Sequence, residues 1–335
     1  MHPILLKHQL TVKEIVSKYT SLVTFIVLIL ILTVLTRGEV FSWDSVRTLI
    51  TAEAVRAFTA LGVGMIIITR GIDLSIGSVV CLSASVAASF AQETTLATAI
   101  YPGVNFPLFV PILAGITVGA IFGLLNGVLV AYGKLPAFIA TLGTMIIARG
   151  AQLIYTQAAI VSSLTAPYRA IAQTSFGGNL RFPILGIYVI IITVIIWTLM
   201  RHTRQGSNFY AIGGNIQAAR VSGINVEKNL VCVYLYAGIL YGIAGVLISS
   251  RLALANAMTA SGMELDAIAA VTVGGISHSG GVGTVGGMII GLFTMGLIRF
   301  GMSFMAISPY FQNLVQGGII IMAVYFDMKK HAKRV

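Results

Sequence analysis

The sequence predicts an all-α, polytopic membrane protein with about ten transmembrane helices, because it combines high hydrophobicity, little charge and repeated long apolar segments. Hydrophobic residues make up 57% of the 335 residues, and charged residues only 9%. Soluble domains carry roughly 25% charged residues, so this composition excludes a water-soluble fold. The mean hydropathy of +0.95 agrees with a chain that lies mostly in lipid.

The apolar segments follow one another along the whole chain, so 1–335 is predicted to be a single transmembrane domain. A helix needs about 20 mostly apolar residues to cross a hydrocarbon core of about 30 Å. The first segment lacks a small-residue cleavage site, so it is predicted to be a span and not a signal peptide. The predicted spans are 20–36, 48–69, 75–93, 108–132, 136–157, 183–200, 230–250, 262–276, 283–303 and 309–327.

The basic residues predict the orientation of the chain, because cytoplasmic connections carry an excess of Lys and Arg. The chain holds 21 Lys and Arg residues against 10 Asp and Glu residues, a net charge of +11. Both tails are basic, so both termini are predicted to be cytoplasmic. No basic stripe interleaved with aromatic residues is present, so the expected partner is the lipid bilayer and not nucleic acid. The tail cations are Lys7, Lys13, Lys18, Lys329, Lys330, Lys333 and Arg334.

Glycine recurs at every fourth position in two of the predicted spans. In lipid no hydrophobic force drives helices together, so close backbone contact is what holds a bundle. We therefore expect both rows to face other helices. The rows are Gly115, Gly119, Gly123 and Gly127 in the fourth span, and Gly283, Gly287 and Gly291 in the ninth.

The longest polar connection, 201–229, is predicted to contain a short capped helix. Asn215 is a helix N-cap residue, and Gly223 suits the left-handed stop. A two-turn helix has little stability alone, so we expect this one to dock against a partner; the alternative is a surface loop that only joins two spans. The candidate docking residues are Gly213, Gly214, Asn215, Ala218, Ala219, Arg220, Ser222 and Gly223.

Several stretches that together span most of the chain carry a family resemblance. They are GIDLSIGS (71–78), TRQG (203–206), AIGGNIQAARVSGIN (211–225) and ELDAIAAVTVGG (264–275). They resemble the permease subunits of sugar ABC importers, of the ribose and galactose/methyl-galactoside type. Two further stretches, 136–144 and 279–285, are more similar to the galactose/methyl-galactoside type than to the ribose type.

The resemblance implies a permease in the bacterial inner membrane that imports a monosaccharide by alternating access. It also implies a homodimer or pseudo-dimer, a cytoplasmic ATPase pair that binds ATP and Mg, and a periplasmic sugar-binding protein. The connection 201–229 then becomes the coupling loop that contacts the ATPase. No Gly-x-x-x-x-Gly-Lys-Ser/Thr motif occurs in the sequence, so no cofactor is expected on this chain and the ATP site is expected on the partner.

Acidic and polar residues at the edges of spans are candidates for gating or for lining the pathway. Asp73 and Ser75 interrupt the apolar pattern after the second span, where they either cap the next helix or take part in gating. Glu264 and Asp266 begin the eighth span, and acids near a membrane pair, face water or act in function. Asp73 and Asp266 open spans three and eight, which would correspond in two five-helix inverted repeats.

Polar side chains inside spans four and five are the remaining pathway candidates. Asn126, Thr141 and Thr144 can hydrogen-bond sugar hydroxyls, or they can bond between helices. We expect substrate recognition to lie mainly on the external binding protein, with galactose or a methyl galactoside as substrate and ribose or another pentose as the alternative.

A different class of function, an ion-coupled secondary transporter, would rest on embedded charges at Glu53, Arg56 or Glu264. Each embedded charge can instead pair within the bundle or snorkel to the surface. An enzyme is not expected, because the histidines show neither a catalytic triad nor metal-ligand spacing. No catalytic or metal site is therefore predicted. The histidines are His2, His8, His202, His278 and His331.

Overall fold

The computed structural model describes residues 20–178 and 181–332. The tail cations on which the orientation of the chain depends fall largely outside this part of the chain, so both cytoplasmic termini stay a prediction. The residues of earlier interest that lie outside the described ranges are His2, Lys7, His8, Lys13, Lys18, Lys333 and Arg334.

The first half of the described chain consists of long helices joined by short connections. A 3-10 turn at Glu39–Phe41 separates the first two helices. The helices are α1 (Thr20–Leu35), α2 (Trp43–Ile68), α3 (Ile76–Phe90), α4 (Phe109–Ala131) and α5 (Ala137–Thr156).

The second half contains more short elements. Its helices are α6 (Ala166–Gln173), α7 (Ile184–His202), α8 (Arg204–Gly214), α9 (Ile216–Val221), α10 (Val226–Leu252), α11 (Met263–Val273), α12 (Val285–Phe304) and α13 (Pro309–Ala332). Strands β1 (Ser175–Phe176) and β2 (Phe182–Pro183) form a small antiparallel pair, which is the one departure from the predicted all-α class in the described ranges.

Six helices in the described ranges are long and apolar enough to cross a membrane, namely α2, α4, α5, α7, α10 and α12. Helices α1 and α3 are apolar but shorter. Every predicted span contains a helix, so the location of the apolar segments is confirmed. The total of about ten spans, and the inverted repeat, stay predictions.

The eighth predicted span, 262–276, is wrong as a single crossing. Helix α11 has only 11 residues and rises about 16 Å, roughly half of the hydrocarbon core. It ends at Gly274 and Gly275, and Gly275 has a φ of +90°. The apolar pattern continues past this point, but the glycine pair breaks the helix.

Helix α10 lies at the centre of the bundle and is buried along most of its length, as is α2. The glycine row of α4 packs against it. A Cβ atom at Gly119 or Gly123 would overlap the backbone of Gly238, and one at Gly119 would also overlap that of Gly242. The prediction that this row faces another helix is therefore confirmed. In the second row Gly291 packs against Ala270 of α11 and Gly287 against Gly274 at its end, as predicted. Gly283 lies before α12 in the α11–α12 loop, so for this residue the prediction is wrong.

Helix α2 contacts several other parts of the bundle at two sites along its length. At its C-terminal end, its last residues contact the C-terminus of α8 and the α11–α12 loop. In the middle of α2, Glu53 and Arg56 contact side chains of α11 and α12. The candidate functional residues lie at these two sites and in the interior of the bundle.

Candidate coupling helix and interior polar network

The short helix predicted in the connection 201–229 is present as α9. The Asn215 side chain caps it by accepting a hydrogen bond of 3.0 Å from the Ala218 N–H. Gly223 ends it in the left-handed region, with a φ of +83°. The Ser222 hydroxyl donates to the Ala218 carbonyl at 2.9 Å. The predicted helix, N-cap and stop are all confirmed.

Helix α9 is anchored on one side and open on the other. Ala219 is buried with Ile212 of α8 and Val226 of α10 in a small hydrophobic cluster. On the opposite side Ala218 is exposed, and Val221 is 89% exposed. This face of α9 is therefore open to contact with a partner.

The candidate docking residues lie in two different environments. Gly213 and Ala219 are buried in this structure, so they present no surface to a partner. Arg220 is exposed and forms an ion pair with Glu227 at the start of α10. The residues that present a surface to solvent are Gly214, Asn215, Ala218, Arg220, Ser222 and Gly223.

Helix α8, which precedes α9, was not predicted from the sequence. Its N-cap is Thr203, whose hydroxyl accepts a hydrogen bond of 3.1 Å from the Gly206 N–H. The TRQG stretch therefore begins a helix. The signal in the sequence that could have revealed it was Thr203, a residue type favoured at helix N-caps.

Three chain segments meet directly behind α9 in what we call the glycine junction, formed by Arg70, Gly213, Gly214, Gly280 and Gly281. The Arg70 guanidinium donates to the Gly213 carbonyl at 2.6 Å and to the Gly214 carbonyl at 2.8 Å. The Gly281 N–H donates to the Ile68 carbonyl at 2.8 Å. Arg70 thus holds the last carbonyls of α8, and the junction connects α9 to the end of α2.

The α11–α12 loop that contributes Gly280 and Gly281 is tied to α13. The Asp327 carboxylate accepts hydrogen bonds from the Ser277 hydroxyl at 3.1 Å and from the His278 N–H at 3.0 Å. The His278 ring contacts the Thr272 hydroxyl at 2.8 Å. Burial lowers the pKa of His278, and the Asp327 carboxylate opposes that shift.

Five of the predicted gating or pathway residues meet in one buried network. The Ser75 hydroxyl donates to the Asp73 carboxylate at 2.6 Å, and the Asn126 amide donates to the Ser75 hydroxyl at 2.9 Å. The Thr144 hydroxyl donates to the Asn126 carbonyl oxygen at 2.6 Å. Thr141 accepts from the Leu74 N–H at 3.2 Å.

This interior network connects the α2–α3 connection to α4 and α5. Asp73, Ser75, Asn126, Thr141 and Thr144 are all buried. Each finds hydrogen-bond partners within the protein, and those of Asn126, Thr141 and Thr144 include groups on other segments, so a role in gating or in lining the pathway stays a prediction. Asp73 accepts from the Ser75 N–H at 2.8 Å in a turn just before α3, and no side chain caps the start of that helix, so the predicted capping role is not seen.

The remaining predicted acids lie in the first turn of α11. The Glu264 carboxylate packs against Gly77 at the start of α3, where a Cβ atom would collide with it. Asp266 belongs to an acid–arginine cluster, which we define as Glu53, Arg56, Asp266 and Arg299. Arg56 and Arg299 contact Asp266 at 3.0 Å and 2.6 Å.

Glu53 completes the acid–arginine cluster and is nearly fully buried. Its carboxylate contacts Arg56 at 3.0 Å and Arg299 at 3.0 Å. Two acids and two arginines compensate one another, so the cluster carries no net formal charge. The sequence indicated Glu53 and Arg56 as embedded charges and Asp266 as an acid at the start of a span, but it did not show their pairing. Over residues 20–178 and 181–332, no group of three or more His, Cys, Asp and Glu side chains is placed to hold a metal ion.

Apolar helices packed through glycine, with interior polar groups satisfied between them, are typical of a polytopic membrane protein. The family described as the branched-chain amino acid transport system permease component matches residues 45–324. The chain belongs to this permease family.

Curated relatives align with nearly the whole chain. The galactose/methyl galactoside import permease of Haemophilus influenzae is 38% identical over 316 residues, which cover 92% of this chain and 94% of the relative. The corresponding permease of Escherichia coli is 39% identical, over 87% of this chain and 88% of its own length. The ribose import permease of Escherichia coli is 36% identical, over 92% and 93%. No solved structure matches the chain.

Proposed function

We propose that this chain is the permease subunit of an ATP-driven importer that moves a monosaccharide through the bacterial inner membrane. Both groups of relatives are named as import permeases for monosaccharides or a monosaccharide glycoside. Identity is 38–39% to those named for galactose and methyl galactoside and 36% to one named for ribose. Galactose or a methyl galactoside is the first substrate to test, and ribose or another pentose the alternative.

The observation that carries this proposal is the geometry of α9. The helix is anchored by Ala219 on one side, exposes Val221 on the other, and connects through the glycine junction to the end of α2. A partner that pushes on the exposed face would move a segment that contacts three parts of the bundle. We therefore assign 201–229 as the coupling loop and α9 as the docking helix for the ATPase.

The partners follow from the same arrangement. The sequence contains no phosphate-binding loop, so ATP and Mg belong to the ATPase subunits. A periplasmic binding protein supplies the sugar, and a second copy of the permease completes the pathway. The exposed apolar face of α5, with Ile146 and Ile154, is a surface for that second copy or for lipid.

The interior network supports an alternating-access mechanism in which the sugar makes only a few polar contacts with the permease. Asn126 and Thr144 form one hydrogen bond between α4 and α5, and Thr141 contacts the α2–α3 connection. Separation of α5 from these partners would expose hydroxyl and amide groups to a sugar. The path would then bind its cargo weakly, as transport requires.

The ion-coupled alternative is not favoured. It requires an embedded acid that takes up and releases a cation, whereas Glu53 is held by Arg56 and Arg299. Asp266 is likewise shared by both arginines. An added cation would compete with two guanidinium groups at Glu53 and at Asp266. In the described ranges Glu264 forms no ion pair, so it is the acid on which the ion-coupled alternative would have to rest.

The test is uptake of radiolabelled galactose, methyl galactoside and ribose into proteoliposomes that contain this chain, its ATPase and its binding protein. We expect uptake that requires all three components and ATP. Uptake by the chain alone, driven by an ion gradient, would contradict the proposal and support the secondary transporter.

A matched pair of variants tests the docking helix. Gly214→Arg places a large cation at an exposed position where a Cβ atom meets nothing within 4 Å, so it changes the surface without disturbing packing. Ala97→Arg makes the same charge change at an exposed site in a connection far along the chain. We expect only Gly214→Arg to abolish copurification of the ATPase. Because Gly214 is the last residue of α8, retained copurification and uptake in Gly214→Arg would rule out the surface at the α8–α9 boundary as part of the docking site.

A further inference from the structure

A cavity of about 750 Å³ opens between the C-terminal end of α7, helix α8 and the start of α12. The function proposed above does not use it. One side is apolar, with Trp197 and Met200, and another is polar, with Arg201, Ser207 and Tyr210. A space of this size and mixed lining accommodates the headgroup of an amphipathic molecule.

Arg201 gives the cavity a positive charge that the protein does not neutralise. Within residues 20–178 and 181–332, no acidic side chain forms an ion pair with Arg201. Gly283 and Gly286 form part of the opposite wall, and a Cβ atom at Gly286 would meet nothing within 4 Å. The space in front of the guanidinium is therefore open to an anionic group.

The surface of α7 leads from the lipid directly to this cavity. Ile190, Val194, Trp197 and Arg201 are spaced by four, three and four residues, so they lie along one face of the helix. The three apolar residues are 60%, 55% and 48% exposed. In a membrane-spanning helix such a stripe faces acyl chains, and an aromatic residue followed by Arg marks the level of the headgroups.

We propose that the cavity binds an anionic phospholipid from the leaflet at the glycine-junction end of the bundle. The phosphate forms charge-assisted hydrogen bonds with Arg201, and one acyl chain lies along Ile190, Val194 and Trp197. The glycines of the opposite wall leave room for the glycerol. The bound lipid would connect α7 to the start of α12, next to the loop that enters the glycine junction.

The test is native mass spectrometry of the full chain released from micelles that contain equal amounts of phosphatidylglycerol and phosphatidylcholine. We expect retained phosphatidylglycerol to exceed phosphatidylcholine. Arg201→Gln should reduce bound phosphatidylglycerol about five- to tenfold, because one guanidinium near the membrane surface contributes on the order of 1 kcal/mol. Arg204→Gln, which removes the same charge outside this cavity, should have no such effect.

A second variant fills the cavity without changing its charge. Gly286→Leu should exclude phosphatidylglycerol while Arg201 is retained, and its unfolding midpoint in detergent shows whether the chain stays folded. Inorganic phosphate at millimolar concentration should leave the lipid bound. Equal retention of both lipids, equal loss in the Arg201 and Arg204 variants, binding unaffected by Gly286→Leu, or displacement by phosphate would each overturn the lipid site.

Discussion

In the middle of α2 four charged side chains hold α2, α11 and α12 together, whereas at the C-terminal end of α2 backbone groups of α2, α8 and the α11–α12 loop contact one another directly. The acid–arginine cluster joins its helices through ion pairs of 2.6–3.0 Å. The glycine junction joins its segments through carbonyl and N–H groups, with Arg70 as the one charged member.

The acid–arginine cluster and the glycine junction differ in how their contacts can rearrange. Ion pairs between long side chains can exchange partners while the helices move, since each carboxylate already contacts two guanidinium groups. A backbone contact between glycines has no such freedom, because the segments must move together or separate. This difference suggests that the junction transmits motion from α9 as a rigid unit, while the cluster permits α11 and α12 to shift against α2.

The largest effect is expected from removal of one charge of the acid–arginine cluster. Glu53→Gln leaves Arg56 and Arg299 with one carboxylate between them in a buried site. Loss of one partner of a buried ion pair costs about 3 kcal/mol or more. We expect a decrease of that size in the free energy of unfolding, measured by SDS titration of the purified chain in mixed micelles.

Two further variants show whether charge balance is the cause. The double variant Glu53→Gln/Arg299→Gln restores neutrality, so its loss should be smaller than the sum of the two single losses. Glu93→Gln removes an exposed acid and should stay within about 0.5 kcal/mol of the original chain. A strictly additive double variant would show that the four residues do not act as one cluster.

A smaller but more local effect is expected at the glycine junction. A Cβ atom at Gly213 would overlap the carbonyl of Ile68 and the N–H of Gly281, both of which are backbone groups that cannot turn away. Gly213→Ala should therefore cost about 1–3 kcal/mol in the same SDS titration. Gly214→Ala is the matched control, because no atom lies within 4 Å of its Cβ position. Equal stability of the two variants would mean that the junction separates easily.

Local features of the coupling segment were predictable from the sequence because each depends on a few neighbouring residues. Asn215 followed by a helix-forming pair and then Gly223 contains the complete signal for a capped two-turn helix. The glycine row of α4 was likewise readable, since its spacing of four places all members on one helix face.

The partners across the fold were not predictable, because nothing local specifies them. Glu53 and Arg299 are 246 residues apart, and Arg70 meets Gly213 across 143 residues. For both Asp73 and Asn126 the sequence allowed a structural and a functional interpretation. Their shared contact with Ser75 could not be predicted from it. The sequence contains the glycine pair Gly274 and Gly275 where the helix ends. The residues around the pair are apolar, however, so one continuous span was predicted there.

The smallest effect, and the most specific to the docking helix, is expected at its cap. Asn215→Ala removes the acceptor for the Ala218 N–H, a loss of about 1 kcal/mol for a helix cap. Helix α9 has only six residues and is anchored on one face, so we expect the loss of the cap to open this helix locally and not to unfold the whole chain. Hydrogen exchange of the α9 amides should become faster, while the midpoint of the SDS titration should change little. Asn215→Ser should restore slow exchange, and Gln217→Ala should leave it unchanged. Slow exchange in Asn215→Ala would mean that the buried side chain of Ala219, and not the cap, keeps α9 folded.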